Sequence, residues 1–285
     1  MVSITVAALL REITAQLAQA GCDAPAFDAR CLLEDIGGVG RGMVDARAAQ
    51  PLPPDAVQAV RRAADRRAAG YPLQYLLGEW DFLTLTLQVG EGVLIPRADT
   101  EVLCEHAAAW LQARVLPVPR VLDLCAGSGC VGLGLCTLYP AARVTAVELS
   151  EAALPYLRRN AAHYPDFAVE IVQADVLHDA ARFSAGYDLI LSNPPYIPAA
   201  DIPALMAEVQ HEPCMALDGG DGLVFYRALA QDWAPKLAPG GALMAEVGID
   251  QAADVADLWR MAGLTTVHTV RDLNGVERVV AGERE

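Results

Sequence analysis

The stretch Val121-Leu122-Asp123-Leu124-Cys125-Ala126-Gly127-Ser128-Gly129-Cys130-Val131-Gly132 decides the fold. Its apolar beginning predicts a buried strand, and the glycines that follow predict a tight turn into a helix. At such a junction the backbone can approach a ligand closely at the helix N-terminus. The glycine spacing also matches the dinucleotide-binding fingerprint, but that match alone is weak because glycine turns after strands also occur for packing.

Strands and helices alternate from residue 97 onward, which predicts a mainly parallel sheet covered on both faces. The last two predicted strands are separated only by 271–275, so they must pair antiparallel. Asp99 or Thr100 can cap a helix that runs through Trp110. The predicted strands of this region lie at 120–124, 143–147, 169–173, 187–192, 241–246, 264–270 and 276–281, and the further helices near 130–139, 151–162, 223–237 and 250–261. A doubly wound sheet that ends in an antiparallel hairpin is the shape shared by most AdoMet-dependent methyltransferases.

The region before residue 97 divides into two further parts. Residues 1–78 show helical spacing of apolar residues and are predicted to form a small helical domain. Residues 79–96 are predicted to form a β-hairpin connector: a strand at 83–89, a turn at Gly90-Glu91-Gly92 and a return strand at 93–95. Residues 97–285 then form the α/β domain. The arginines at 61, 62, 66 and 67 are interpreted as solvated helix surface, with docking of an acidic partner as the alternative.

The composition excludes several classes of protein. The chain has 285 residues, is 54% hydrophobic and carries a net charge of −15. Such an acidic chain is a poor partner for a nucleic-acid backbone, whose binding relies on Lys and Arg. No apolar run predicts a membrane span or a secretory signal. The 7 cysteines are scattered without a CxxC pair, which favours reduced thiols in the cytoplasm.

Acidic residues at strand ends favour a cationic ligand over a phosphate. Asp123 would repel a pyrophosphate but suits AdoMet, which carries a sulfonium and an α-ammonium. Glu148 ends the next strand, where it can accept both ribose hydroxyls; a helix N-cap is the alternative. Asp175 is placed to receive an adenine amino group, or else is a surface acid, and Val176 would pack on the adenine face.

The motif Ser192-Asn193-Pro194-Pro195-Tyr196 follows another predicted strand and carries the chemistry. The prolines remove two backbone donors and keep the preceding residues extended. The groups left to face the cleft are acceptors, namely the Asn193 side-chain oxygen and the Pro194 carbonyl, which match the two donors of a planar NH₂ group. Tyr196 can stack on the planar group that carries this NH₂. A rigid loop without chemistry is the alternative interpretation.

Further stretches resemble one family. Residues 71–78, Phe82, 93–101, Glu212-Pro213, 216–223 with Tyr226, and 272–280, together with the two motifs above, are similar to the protein-glutamine methyltransferases of the HemK/PrmC family. The resemblance runs nearly end to end. Ala98 stands where the family often has proline, and Cys125-Ala126 replace a common Gly-Thr.

The resemblance implies a class I AdoMet methyltransferase fold and methylation of the glutamine N5 in the Gly-Gly-Gln motif of class 1 peptide-chain release factors. AdoMet would be the cofactor and S-adenosyl-L-homocysteine the product. Asn193 and Pro194 are the implied catalytic residues; Pro195, Tyr196, Phe82 and Arg97 would join them in binding the substrate. The implied cofactor-binding residues are Asp123, Cys125, Ala126, Gly127, Ser128, Gly129, Glu148, Asp175, Val176 and Asn193.

Three rival functions remain open. A glutamine methyltransferase acting on a ribosomal protein shares the chemistry, and an adenine-N6 nucleic-acid methyltransferase shares the Asn-Pro-Pro-Tyr loop. A binding module without activity would have no need of Asp123, Glu148 and Asn193 together. The 5 histidines show no ligand spacing, so no metal is predicted. No Cys–His or Ser–His pair suggests covalent catalysis, and a monomer without nucleic-acid or membrane partners is expected.

Overall fold

The computed structural model describes residues 4–285. They divide into two compact units. The first comprises the described part of Met1–Glu79 together with Met206–His211. The second comprises Trp80–Leu205 and Glu212–Glu285.

The first unit is helical, as predicted. Helix α1 begins after Thr5, whose hydroxyl accepts the Ala8 N–H at 3.3 Å, and it buries one apolar stripe against the other helices. The fourth helix was not predicted because it has only five residues. The helices are α1 (Val6–Gln19), α2 (Pro25–Cys31, continued by a π-helical turn Leu32–Ile36), α3 (Pro54–Ala68) and α4 (Leu73–Leu77).

The predicted arginine surface of α3 is wrong for Arg67. This side chain is only 5% exposed and lies 2.7 Å from Asp28 Oδ2 and 2.6 Å from Glu208 Oε1. A buried guanidinium needs such partners because removing one partner leaves an uncompensated buried charge, which costs about 3–5 kcal/mol. Arg61 is partly exposed and is paired with Glu12 at 2.6 Å. Two of the four arginines of α3 are therefore paired with carboxylates of the same unit.

The hairpin lies earlier than predicted. Strands β1 (Glu79–Phe82) and β2 (Leu85–Gln88) form a two-stranded sheet, and the chain turns at Leu83, whose φ is +51°. The apolar alternation at 85–89 predicts β2 correctly. Strand β1 alternates as well, but it has only four residues and its turn contains no glycine. Residues 93–95 are not a strand. Gly92 is required for close packing instead, since a Cβ there would lie 2.7 Å from the Ala152 Cβ.

The second unit is a seven-stranded, doubly wound sheet, which confirms the predicted fold class. The strand order is β5-β4-β3-β6-β7-β9-β8. Strands β3 to β7 are parallel, and β9 runs antiparallel to both β7 and β8. The strands are β3 (Arg120–Leu124), β4 (Arg143–Glu148), β5 (Ala168–Gln173), β6 (Tyr187–Ser192), β7 (Leu237–Glu246), β8 (Thr265–Arg271) and β9 (Glu277–Glu283).

Two apolar cores cover the faces of the sheet. One contains Tyr226, Trp233 and Trp259, and the other contains Leu103, Leu111 and Leu133. The predicted helix at 223–237 is interrupted by a π-helical turn and a short 3₁₀ helix that contains Pro235. The helices are α5 (Glu101–Arg114), α6 (Cys130–Leu138), α7 (Leu154–His163), α8 (Cys214–Leu217), α9 (Val224–Ala228) and α10 (Ala252–Met261).

The strand order places the ligand-binding end of the sheet. The chain proceeds outward from β3 through β4 to β5 and then returns to the other side of β3 as β6. In open α/β sheets, ligands bind at the carboxyl ends of the strands where the order reverses in this way. The ends of β3, β4 and β6, which carry the predicted motifs, meet at that point.

Candidate active site

A cavity of about 440 Å³ opens at the carboxyl ends of the parallel strands, within the second unit. Most of the predicted site residues line it. These are Arg97, Cys125, Ala126, Gly127, Ser128, Glu148, Asp175, Val176, Asn193 and Pro195. Asp123, Gly129, Pro194, Tyr196 and Phe82 are not among the lining residues.

The glycine turn after β3 forms one wall. Gly127 has φ +56°, and a Cβ added to it would meet nothing within 4 Å, so its backbone faces open space. Gly129 serves packing instead: it precedes α6 with φ +85°, and a Cβ there would lie 2.6 Å from Leu157 Cδ1. Cys125 also has a positive φ, +62°, where the resembling family often has glycine.

Glu148, at the end of β4, holds this turn. Its Oε2 accepts the Gly127 N–H at 2.7 Å, and its Oε1 accepts the Ser150 N–H at 2.6 Å. Burial raises the pKa of Glu148, and the Ser150 and Gly127 N–H groups act in the opposite direction. Each carboxylate oxygen keeps a further lone pair, so hydroxyl donors in the cavity can still bind.

Asp123 differs from its expected position. It is fully buried beneath the first turn of α6, and its Oδ2 accepts the Gly132 N–H at 2.8 Å. Within residues 4–285 its Oδ1 has no hydrogen-bond partner. Burial raises the pKa of Asp123 to about 7, and the Gly132 N–H opposes that rise. Side chains along a strand point alternately to the two faces of the sheet, and that of Asp123 points to the face covered by α6. It therefore does not line the cavity.

The loop after β5 contributes Asp175 and Val176. Asp175 Oδ1 accepts the Leu177 N–H at 2.8 Å, an Asx turn that fixes the side chain at the cavity. Val176 is buried except for the surface that it presents there. Both residues therefore lie together with the glycine turn and Glu148.

The side-chain amide of Asn193 has one of its two polar ends fixed. Its Nδ2 donates to the Thr100 hydroxyl at 3.1 Å. Thr100 occupies the N-cap position of α5, but it is completely buried and makes no side-chain capping bond. Of the two residues predicted to cap this helix, Thr100 therefore does not do so with its side chain. With Nδ2 held, Oδ1 is the polar atom of Asn193 left for a partner in the cavity.

The rest of the Asn-Pro-Pro-Tyr loop is only partly as expected. Both prolines are buried, and Pro195 lines the cavity whereas Pro194 does not. The Tyr196 ring packs toward the apolar core, and its hydroxyl lies 3.4 Å from Glu246 Oε1. Its carbonyl accepts Gln251 Nε2 at 2.9 Å. The ring is therefore held in the protein and is not among the groups that line the cavity.

Residues 216–223, which only the family resemblance connects with the site, support this loop. Ile197 N donates to Leu217 O at 3.1 Å, and Gly219 N donates to Ile197 O at 2.9 Å. A Cβ on Gly219 would lie 2.8 Å from Pro195 O and from Tyr196 Cα. Residues 216–223 thus pack directly against the motif, and position 219 has room only for glycine.

Phe82 lies in the core, whereas Arg97 lies at the cavity. Phe82 is 1% exposed in the core beneath α5 and α6, away from the position expected of a substrate-binding residue. Arg97 lines the cavity and pairs with the buried Glu212, whose other oxygen accepts the Ile95 N–H at 2.9 Å. This pair anchors the extended segment 93–97 along the cavity.

No group of three or more His, Cys, Asp or Glu side chains in residues 4–285 is arranged to hold a metal ion. None of the helices described is long and apolar enough to cross a membrane.

Comparison with known proteins gives concordant results. The PrmC N-terminal domain family matches residues 8–78, and the Methyltransferase small domain family matches residues 100–220. The release factor glutamine methyltransferase of Geobacter sulfurreducens is 39% identical over 268 residues, covering 93% of this chain and 92% of that protein. The enzyme of the same name from Bordetella pertussis is 41% identical over 259 residues, covering 90% and 94%.

A solved structure agrees with the fold. The hMettl16 catalytic domain in complex with the MAT2A 3'UTR hairpin 6 aligns with a TM-score of 0.56 and 17% identity, covering 77% of this chain and 81% of that one. At this identity the likeness concerns the fold alone. The family match, the relatives and the fold together confirm the predicted resemblance and the predicted enzyme class: the chain is a methyltransferase and belongs to the release factor glutamine methyltransferase family.

Proposed function

We propose that this chain transfers a methyl group from AdoMet to the side-chain nitrogen of the glutamine in the Gly-Gly-Gln motif of class 1 peptide-chain release factors. The names of its relatives support the acceptor, at 39% and 41% identity over nearly the whole chain. The observation that carries the proposal is the fixed amide of Asn193, which offers an oxygen to an NH₂ group at the end of β6.

The cavity fits AdoMet. The space in front of Gly127 is open, and the Ser128 hydroxyl is buried at the wall without a partner in the described residues, ready for a polar ligand atom. We assign the methionine portion to Cys125–Gly129, the ribose hydroxyls to Glu148, and the adenine to Asp175 and Val176. Asp123 contributes by holding the Gly132 N–H and so the geometry of the turn.

The acceptor amide is positioned by Asn193 and Pro194. Asn193 Oδ1 and the Pro194 carbonyl each accept one N–H of the glutamine, and Pro194, being an imino acid, offers no competing donor. A carboxamide nitrogen is a poor nucleophile, so its orientation has to supply much of the rate. The two acceptors also stabilise the positive charge that develops on nitrogen as it is alkylated. Bound AdoMet supplies the electrophilic methyl group, and the proton lost from nitrogen goes to water.

Pro195 and Arg97 complete the acceptor side. Pro195 lines the cavity next to Asn193, and the Arg97–Glu212 pair keeps the wall of residues 93–97 in place. For Tyr196 the packing of the ring favours a supporting role over direct stacking on the amide. Phe82 supports α6 from the core in the same way: a Cβ on Gly134 would lie 2.8 Å from its ring.

Two rivals differ in the acceptor. A ribosomal-protein glutamine would fit the same oxygens, and an adenine amine would as well. The net charge of −15 disfavours a nucleic acid. The proposal includes a cytoplasmic monomer.

Mass spectrometry of a release factor incubated with the protein and AdoMet tests the acceptor. We expect one added methyl group on the Gly-Gly-Gln peptide. Methylation of ribosomal protein or of RNA under the same conditions, with the release factor unmodified, would contradict the proposal.

We further propose that the helical unit docks the protein substrate. Removing residues 1–78 is expected to leave AdoMet binding by calorimetry unchanged and to abolish transfer to the intact release factor. A saturating Gly-Gly-Gln peptide serves as the control acceptor, because it needs no docking surface. Equal transfer to the intact factor with and without residues 1–78 would refute the docking role.

A further inference from the structure

Glu246 is a buried carboxyl group that the mechanism above does not use. It ends β7, next to the strand that carries Asn193: Ser192 pairs with Ala245 in the parallel register, so the following residue on each strand is Asn193 and Glu246. Glu246 is only 2% exposed. Its Oε1 lies 3.4 Å from the Tyr196 hydroxyl, and its Oε2 has no hydrogen-bond partner in residues 4–285.

A buried carboxyl group of this kind lowers the stability of the fold, so its presence requires another explanation. Burying a carboxylate costs more than a hydrogen bond returns, and here one oxygen is left unpaired. Burial raises the pKa of Glu246 to about 7; Thr100 and the charge of Arg278 oppose the rise, and Asp99 adds to it. An apolar residue at this position would give a more stable core, so stability does not account for the carboxyl group.

Thr100 connects Glu246 to the acceptor site. A threonine hydroxyl has one proton and two lone pairs. The Thr100 oxygen already accepts Asn193 Nδ2 at 3.1 Å, and its side chain is completely buried. Its own proton therefore points to another acceptor. Glu246 Oε2 is a buried acceptor without a hydrogen-bond partner in residues 4–285, and Thr100 lowers the pKa of that carboxyl group.

Resting on the proposed function, we propose that Glu246 is a positioning residue that acts through Thr100 to fix the direction of the Asn193 amide. By accepting the Thr100 proton, Glu246 leaves a lone pair of the threonine oxygen facing Asn193 Nδ2. Asn193 must then present Oδ1, and not its NH₂, to the substrate. Without this series of hydrogen bonds the Asn193 side-chain amide can rotate by 180°. It would then present its NH₂ group to the NH₂ group of the substrate glutamine, so that two donors would face each other.

The test uses the full-length protein with four single variants: Thr100→Val, Thr100→Ser, Glu246→Gln and Tyr226→Phe. For each variant kcat, the KM for release factor, the AdoMet Kd by calorimetry and the thermal midpoint are measured. Tyr226→Phe is the matched control, because the Tyr226 hydroxyl binds the backbone carbonyl of Glu246 at 2.9 Å and leaves its carboxylate untouched.

We expect Thr100→Val to lower kcat by roughly ten- to a hundredfold, with KM and AdoMet Kd changed by less than about threefold. Thr100→Ser retains the hydroxyl and should restore kcat to within about threefold of the wild type. Glu246→Gln should lower kcat by about tenfold, because its amide can either accept from or donate to Thr100. Tyr226→Phe should change only the thermal midpoint.

The double variant Thr100→Val with Glu246→Gln separates positioning from structure. If Glu246 acts through Thr100, the double variant is no slower than Thr100→Val alone. Additive losses, a failure of Thr100→Ser to restore kcat, or equal losses in kcat and AdoMet binding would each overturn the inference. Absence of release-factor methylation by the wild type would instead overturn the proposed function, so the two failures are distinguishable.

Discussion

The two ends of the cavity are built in different ways. At the glycine-turn end, the contacts are made by backbone groups and by one carboxylate from the adjacent strand: Glu148 binds the N–H groups of Gly127 and Ser150. At the Asn193 end, a single side chain is held by Thr100, 93 positions away in the sequence. The first end is therefore a product of local turns, and the second depends on packing between distant segments.

This difference implies that the ends can be damaged separately. A change in the glycine turn or Glu148 should act on cofactor affinity, and a change in the Asn193 loop or its supports should act on turnover. A variant that altered both to the same degree would show that the two ends are mechanically coupled.

The largest effect is expected for Asn193→Ala. Removing the oriented acceptor should lower kcat by about a hundredfold or more, because both orientation and charge stabilisation are lost. AdoMet binding measured by calorimetry should change little, since the cofactor end is intact. Near-normal turnover would show that another group holds the substrate amide.

The mirror experiment is Glu148→Ala. Loss of the carboxylate leaves the Gly127 N–H without its partner and removes the proposed ribose contact, each a charge-assisted hydrogen bond. The AdoMet Kd should rise by tens of fold, on the order of 2 kcal/mol. Turnover at saturating AdoMet should remain within about threefold of the wild type. An unchanged Kd would remove Glu148 from the cofactor site.

A smaller effect is expected for Gly219→Ala. The added Cβ would fall 2.8 Å from Pro195 O and Tyr196 Cα, so the Asn-Pro-Pro-Tyr loop must shift. Overpacking of this kind costs about 1–3 kcal/mol, and we expect a roughly tenfold lower kcat with a lower thermal midpoint. AdoMet affinity in the same variant is the internal control. Wild-type kcat would mean that the loop tolerates displacement.

The smallest effect concerns pH and Asp123. The folded-state pKa, about 7, lies above the ordinary value of 3.8. Between these values the folded protein binds the proton and the unfolded chain does not, so this group makes stability fall as pH rises toward 7. Asp123→Asn can still accept the Gly132 N–H but cannot ionise.

The thermal midpoint of the cofactor-free protein checks this expectation. Asp123→Asn should unfold a few degrees above the wild type at about pH 8, and the difference should shrink at about pH 5, where the folded-state Asp123 is protonated. A difference that is the same at both pH values would show that the ionisation of Asp123 does not affect stability.

Much of the fold could be predicted because its signals are local. The glycines of 127–132, the apolar strands and the short 271–275 connection specify a doubly wound sheet with an antiparallel end through periodicity and turn chemistry. The placement of Glu148, Asp175 and Asn193 around one cavity follows from the rule that parallel strands end at the same edge.

The errors occurred where the partner is distant. The alternation at 85–89 predicts β2 correctly, but its partner strand, Glu79–Phe82, is only four residues long, and the predicted hairpin therefore lies too late in the sequence. The basic sequence of α3 predicts a solvated surface, whereas Arg67 is buried and paired with Asp28 and Glu208. Tyr196 and Phe82 were expected at the ligand because aromatic residues near a motif can either stack or pack, and the sequence does not distinguish these.

By itself, therefore, the sequence determined the order of elements, the glycine turn and the residue types that can receive an NH₂ group, because each depends on neighbours within a few positions. Only the tertiary structure decided which way those groups face. The direction of the Asn193 amide depends on Thr100 at the start of α5, and Asp123 is buried beneath α6. Hydrogen-bond direction and burial arise from packing among distant segments, which no local pattern records.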